Sequence, residues 1–275
     1  MLVRVFETWL ALVITSAVIV TQGVGRQTQT GTEEASQEEL RAARYLTSEF
    51  MRLMQQTRDV GALKDLYVDD FAARYLAHEW PDIGSSVSYS RNLLTQERRE
   101  DWERYYAAQV NLRYFMVLHI ASTFTPADIR AMERGESHPT ILFPTEAWEV
   151  LKSSPFLLWD YSADNAGSKR EVTRPEELRA LIATLEQANS IMRKRFLKNP
   201  PEQSELYKQN TGAPTPPSKQ RESQPYLEIA HEERLGFPAG THFFHVLTTP
   251  ELFELMLVKT DKGMRVAWAR VYPFN

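Results

Sequence analysis

The chain has no cysteine among its 275 residues. That single absence excludes a disulfide framework, an acylated lipoprotein cysteine, thiolate metal ligands and a cysteine nucleophile. Stability must come from burial, and chains of about 250–300 residues can bury roughly 70–75% of their unfolded surface. Catalytic signatures are missing as well. There is no G-x-S-x-G elbow, no G-x-x-x-x-G-K-[ST] phosphate loop, no G-x-G-x-x-G fingerprint and no EF-hand loop. Nucleotide-dependent chemistry is therefore not expected, and no cofactor is. Charge of one sign is not concentrated either. The formal net charge is −4, and the densest basic run, Arg193-Lys194-Arg195, reads as a solvated helix face. A nucleic-acid footprint needs clustered Lys and Arg, so no nucleic-acid partner is expected.

No uninterrupted apolar stretch reaches the length of about 20 residues that a transmembrane helix needs. The longest run is Trp9 to Val20, twelve residues, preceded by Arg4 and followed by Gly23-Val24-Gly25. A basic start, an apolar core of about 7–15 residues and small residues at the cleavage site describe a secretory signal. Residues 1–25 are thus expected to be an export signal cleaved before Arg26, which places the mature chain in a periplasm or outside the cell. Glu7 weakens the basic start, so retention of residues 1–22 as a membrane anchor is the alternative. Residues 26–35 are polar and aperiodic and read as a flexible tether. The remainder, 36–275, is expected to form a single α+β domain.

Ser36 and Glu39 form a capping box. Leu40, Ala43, Phe50, Leu53 and Met54 then share one helical face, which predicts a helix of about twenty residues. Asp59-Val60-Gly61 breaks it, and Leu63, Leu66, Tyr67 and Phe71 suggest a second, shorter helix. Asp69-Asp70 reads as a turn or cap before a helix over Phe71–His78. Trp80 to Asn92 is a connection, and Thr95 caps a long helix with a broad aromatic stripe from Trp102 to Ile120. Short helices are expected from Pro126 to about Gly135 and over Thr145–Lys152. Thr173-Arg174-Pro175-Glu176 combines a capping box with an early proline. Leu178, Leu181, Ile182, Leu185, Ala188, Ile191, Met192 and Phe196 follow in helical register. Residues 199–225 are rich in proline and read as a long loop. The C-terminal part alternates differently: strands are expected at His242–Leu247, Leu252–Lys259 and Arg265–Tyr272, with a hairpin turn at Thr260-Asp261-Lys262-Gly263. The expected architecture is a helix-rich N-terminal and central part packed on a small antiparallel C-terminal sheet.

Two pieces resemble the nuclear-transport-factor-two-like superfamily, the cone-shaped α+β fold. One is Phe50–Phe71, which looks like an opening helix, a break at an Asp, a short helix and the turn Tyr67-Val68-Asp69-Asp70-Phe71. The other is the hairpin Phe253–Trp268, similar to the closing strands of such domains. The resemblance implies a cone carrying a large helical insertion, and the family includes both enzymes and non-catalytic binding modules.

His231-Glu232-Glu233-Arg234-Leu235 starts like a zinc-protease helix, but Leu235 stands where the second histidine is needed. His242 and His245 are three apart, which in a strand sends them to opposite faces. No metal is expected. His119 on the aromatic helix and Asp160 after Phe156-Leu157-Leu158-Trp159 are the candidates for a pocket base or acid. Trp102, Tyr106, Phe115, Trp159 and Trp268 are candidate pocket-lining residues between the final sheet and the helices. The leading expectation is an exported, non-catalytic protein that binds an apolar small molecule or a protein partner. The alternatives are a cofactor-free hydrolase or isomerase using His119 or Asp160, and an envelope-tethered interaction protein.

Overall fold

The structure is a computed structural model. It describes residues 36–78, 93, 96–134, 136, 142–156, 171–211, 226–227, 237–238, 241, 243–248 and 253–271. The expected export segment 1–25, the tether 26–35, the His231 stretch, Trp159 and Asp160 lie outside the described residues.

The fold class is α+β. Helix α1 spans Gln37–Thr57, α2 Phe71–His78, α3 Arg99–Thr123, α4 Pro126–Glu133, α5 Thr145–Lys152, α6 Pro175–Lys198 and α7 Glu205–Thr211. Strands β1 (Tyr226–Leu227), β2 (Phe243–Leu247), β3 (Phe253–Thr260) and β4 (Gly263–Val271) form an antiparallel sheet in sequence order.

Helix α1 starts where the capping box puts it. The Ser36 hydroxyl accepts from the Glu39 amide at 3.2 Å, and Glu39 Oε2 accepts from the Ser36 amide at 2.9 Å. Its end is Arg58, whose left-handed backbone, φ 50° and ψ 37°, stops the helix. Asp59 then caps the expected shorter helix, which is a 3-10 helix over Val60–Leu66. Helix α6 buries seven of the eight apolar side chains expected of it, Ile191 being only half-buried. Its cap differs from the expected one: Arg174 is the capping position, and Glu177, not Glu176, reaches back to the Thr173 and Arg174 amides at 3.0 and 3.2 Å. The Arg174 guanidinium and the Thr173 amide together hold the Glu177 carboxyl down at about 2.

Residues 201–211, expected within an extended loop, form a 3-10 turn, Pro201–Gln203, and then α7. Pro201 and Tyr207 are buried in this segment, and α7 lies against α3. Burial of an aromatic side chain outweighs the local preference that proline gives for extended backbone.

Helix α3 sits at the centre. Five consecutive residues, Ala108 to Leu112, are buried, so no face of the helix is free there. The expected aromatic stripe thus lies on a helix that is core on all sides over its middle, touching α2, α6, α7 and β4. The hairpin between β3 and β4 turns at Asp261-Lys262, with Gly263 at φ 92°, a conformation that favours glycine.

Strand β4 ends the ordered strand sequence, and its outer edge is satisfied from the helical side. The Val68 amide donates to the Val266 carbonyl at 3.0 Å. The Tyr106 hydroxyl accepts from the Ala269 amide and donates to the Ala269 carbonyl, both at 3.0 Å. Tyr67, Phe71 and Tyr75 meet the Tyr106 ring edge-on at centroid distances of 5.8, 5.0 and 4.8 Å, and burial raises the Tyr106 phenol far above its usual range. The hydroxyl therefore stays protonated and fills both roles at a sheet edge that would otherwise be unpaired. Tyr106→Phe is expected to lower the free energy of unfolding by about 1–3 kcal/mol, measured by urea denaturation. A loss below about 0.5 kcal/mol, the range of neutral surface substitutions, contradicts the role given to this hydroxyl.

Candidate functional site

Helices α3 and α6 and the turn following α1 enclose a half-open cleft of about 570 Å³. Ala107, Ala108 and Gly61 leave room in it. A Cβ added to Gly61 would lie 3.1 Å from the Ala107 Cβ and 3.2 Å from Asp59 Oδ1, so the absence of a side chain lets the turn approach α3 closely. Phe71 and Phe115 add apolar surface.

Asp59 joins the three walls. Its Oδ1 accepts from the Gly61 amide at 2.9 Å and from Asn111 Nδ2 at 2.8 Å, and its Oδ2 accepts from Arg193 Nη1 at 2.8 Å. Asn111 Oδ1 in turn accepts from the Val60 amide at 3.0 Å. Arg104 and Glu186 link α3 to α6 through two parallel bonds of 2.9 and 2.7 Å, and Asn189 Nδ2 donates to the Ala108 carbonyl at 2.8 Å. Four cationic and four anionic side chains line the cleft, so it carries no net formal charge.

Arg58 connects the cleft to a buried polar cluster behind it. Its Nη1 donates to the Tyr114 hydroxyl, and its Nη2 lies 2.5 Å from Glu202 Oε1. Burial pushes the Tyr114 phenol up to about 12, although the Arg58 charge pulls the other way. The pair ties the Pro201–Gln203 turn to the end of α1.

A second ionic cluster crosses the sheet. The Glu254 carboxylate on β3 is bonded by His245 on β2 and by Arg270 on β4. Burial alone would raise the Glu254 carboxyl, but the bonds from His245 and Arg270, together with the Arg270 charge, hold it below its ordinary value. A histidine paired with a buried carboxylate is an arrangement that general-base catalysis uses. Neither residue lines the cleft.

Of the candidate site residues singled out in the sequence and lying among the described residues, only Phe115 lines the cleft. Trp102, Tyr106 and Trp268 are in the interior, each 1% exposed or less. Trp102 donates its indole N–H to the Leu93 carbonyl at 3.0 Å. The space between sheet and helices where an apolar pocket was expected is occupied by contacts such as Phe50 on Phe253 and Tyr114 on Phe253, with centroids 5.3 and 5.2 Å apart. His119 is buried, with Nδ1 3.2 Å from the Thr123 hydroxyl one turn on and its ring 6.3 Å from Phe124. It does not line the cleft. Arg58, Asp59, Asn111, Asn189 and Arg193 were not anticipated. Asp59, as a helix breaker, and Arg193, in the basic run, left a sequence signal, though not one for a site.

Among the described residues no group of three or more His, Asp or Glu is placed to hold a metal ion, and no helix is long and apolar enough to cross a membrane. No family model, no curated protein and no solved structure matches the chain.

The Glu254 cluster predicts an acid limb. Because the folded carboxyl sits below its ordinary value of 4.5, its contribution to stability is complete above about pH 4.5 and is lost as pH falls through the lowered folded value. Glu254→Gln should reduce stability at pH 7 and flatten the fall in stability below about pH 4.5, followed by denaturant unfolding at each pH. An acid limb identical in both proteins rules out this coupling.

Proposed function

We propose that the chain is an exported, non-catalytic binding protein whose ligand site is the cleft between α3, α6 and the turn after α1. The observation that supports this reading most is the cleft itself. At about 570 Å³, it falls in the range of roughly 300–1,000 Å³ typical of small-molecule sites. Its walls are also rigid elements, cross-linked by Asp59, Asn111 and Arg193. Sites built on helices hold their geometry better than sites on loops.

The enzyme reading has less support. Among the described residues no histidine lines the cleft, and Ser190, a hydroxyl side chain there, has no hydrogen-bonded base. A nucleophile requires such a base within reach. Export rests on the sequence of residues 1–25 alone.

The test is a thermal-shift screen of a chemically diverse small-molecule panel against the wild-type chain and Ser190→Trp, which places a large side chain at a half-buried position in the cleft. Compounds that raise the melting temperature of the wild type should fail to do so for the variant. No stabilising compound at all, or equal shifts in both proteins, rejects the cleft as a ligand site. Amino-terminal sequencing of exported material should begin after Gly25; a retained Met1 on membrane-bound protein contradicts release.

A further inference from the structure

Residues 200–211 are attached to the fold differently from the other helical segments. They comprise Pro200, the Pro201–Gln203 turn, Ser204 and α7, and they follow directly on the end of α6. Among the described residues, the backbone hydrogen bonds of this segment outside its helix run within it: the Gln203 amide donates to Pro200, Ser204 to Pro201 and Lys208 to Ser204. Lifting the segment off α3 therefore breaks none of the described backbone bonds of the other elements. Of its described side chains, Pro201 and Tyr207 are buried. Helix α7 has seven residues, fewer than the roughly 12–15 an isolated helix needs to persist in water. Away from α3 it has no means of keeping its shape.

Glu202 supplies the charged link between this segment and the rest of the fold. Its Oε1 lies 2.5 Å from Arg58 Nη2, while Oε2 and Arg58 Nε are shielded from solvent without a partner among the described residues. A guanidinium edge can hold a carboxylate by two parallel bonds, and here one is made. Arg58 is 4% exposed, and its Nη1 donates to the Tyr114 hydroxyl on α3. Two opposite charges are thus held away from water by a pair that returns only part of their desolvation cost. Lifting the segment rehydrates both, so the penalty is relieved at that step and at no other.

We propose that residues 200–211 form a latched strap, which opens and closes over α3 as one unit while α1, α3, α6 and the sheet stay folded, with Arg58 and Glu202 as the latch. Closed, the strap seals Arg58 and Tyr114 in the interior. Open, it uncovers a guanidinium and a phenol beside each other. Local opening of this kind is common where few contacts hold a segment, and it does not depend on whether the cleft binds a ligand.

Hydrogen exchange followed by mass spectrometry on the full chain at neutral pH tests the strap, with wild type, Glu202→Ala and Gln203→Ala compared. In the wild type the strap amides should exchange at least about a hundredfold faster than the slowest amides of α3 and α6, after correction for intrinsic rates. Glu202→Ala leaves Arg58 buried without its counter-charge in the closed state alone, so strap exchange should rise by a further factor of about ten or more, with α3 and α6 unchanged. Gln203→Ala, at an exposed neighbour in the same turn, should have no effect. Acetylation of tyrosines by N-acetylimidazole should reach Tyr114 faster in Glu202→Ala than in the wild type, while Tyr105 and Tyr106, both 0% exposed on α3, stay unmodified. Strap amides as slow as those of α3 and α6 overturn the proposal, as does labelling of Tyr106 at the rate of Tyr114, which marks global unfolding. Unchanged strap exchange in Glu202→Ala, or an equal rise in Gln203→Ala, overturns the latch.

Discussion

Helix α3 is enclosed on every side over Ala108–Leu112, and that enclosure dictates where its neighbours lie. A helix with a free face can leave polar side chains in water. One buried all round has to pair each of them inside the protein, at a cost of about 1–3 kcal/mol for every group left alone. Gln109 donates to the Tyr105 hydroxyl, Asn111 bonds Asp59 and the Val60 amide, and Tyr106 closes on Ala269. The last two of these residues reach outside the helix. Asn111 fixes the turn after α1, and Tyr106 fixes the edge of the sheet. The central helix thereby sets the position of both layers by hydrogen bonds, in addition to apolar contact.

The same constraint explains why space survives beside α3 and not between sheet and helices. Tyr106, Tyr114, Phe50 and Phe253 interlock where the sheet meets the helical layer. On the α6 side, α3 presents Ala107 and Ala108, and the facing turn presents Gly61. Small residues let backbones come close, and the charged side chains around them splay outward instead of filling the gap. Arg104, Glu186 and Arg193 are all at least two-fifths exposed. A cleft with a small-residue lining and a charged rim follows from these residue choices.

Local signals in the sequence were readable where a neighbour within a few residues decides the outcome. The Ser36–Glu39 box, the register of α6 and the Gly263 hairpin all have this character. The readings that changed involve distant partners. Residues 201–211 look extended by composition, and a helix forms there beside α3, where Tyr207 is buried. The aromatics of α3 suggested a pocket because their residue types suit one, but whether such a side chain lines a void or fills it depends on what faces it. The cleft itself depends on pairs such as Asp59 with Asn111 and Asp59 with Arg193, which are 52 and 134 residues apart. No periodicity marks such pairs. Glu254, read only as part of a strand, gains its partners by cross-strand register: Arg270 lies directly opposite, and His245 is diagonal to it on the next strand.

The two ionic clusters differ in what they can do. Glu254 is joined to β2 and β4 and lies within one sheet, so its charge is spent on holding neighbouring strands in register. Arg58 lies between a cleft and a segment packed on α3, and its guanidinium is only partly used. The Pro201–Gln203 turn is fastened through Glu202. Arg58 therefore joins the end of α1, Tyr114 on α3 and this turn through one side chain.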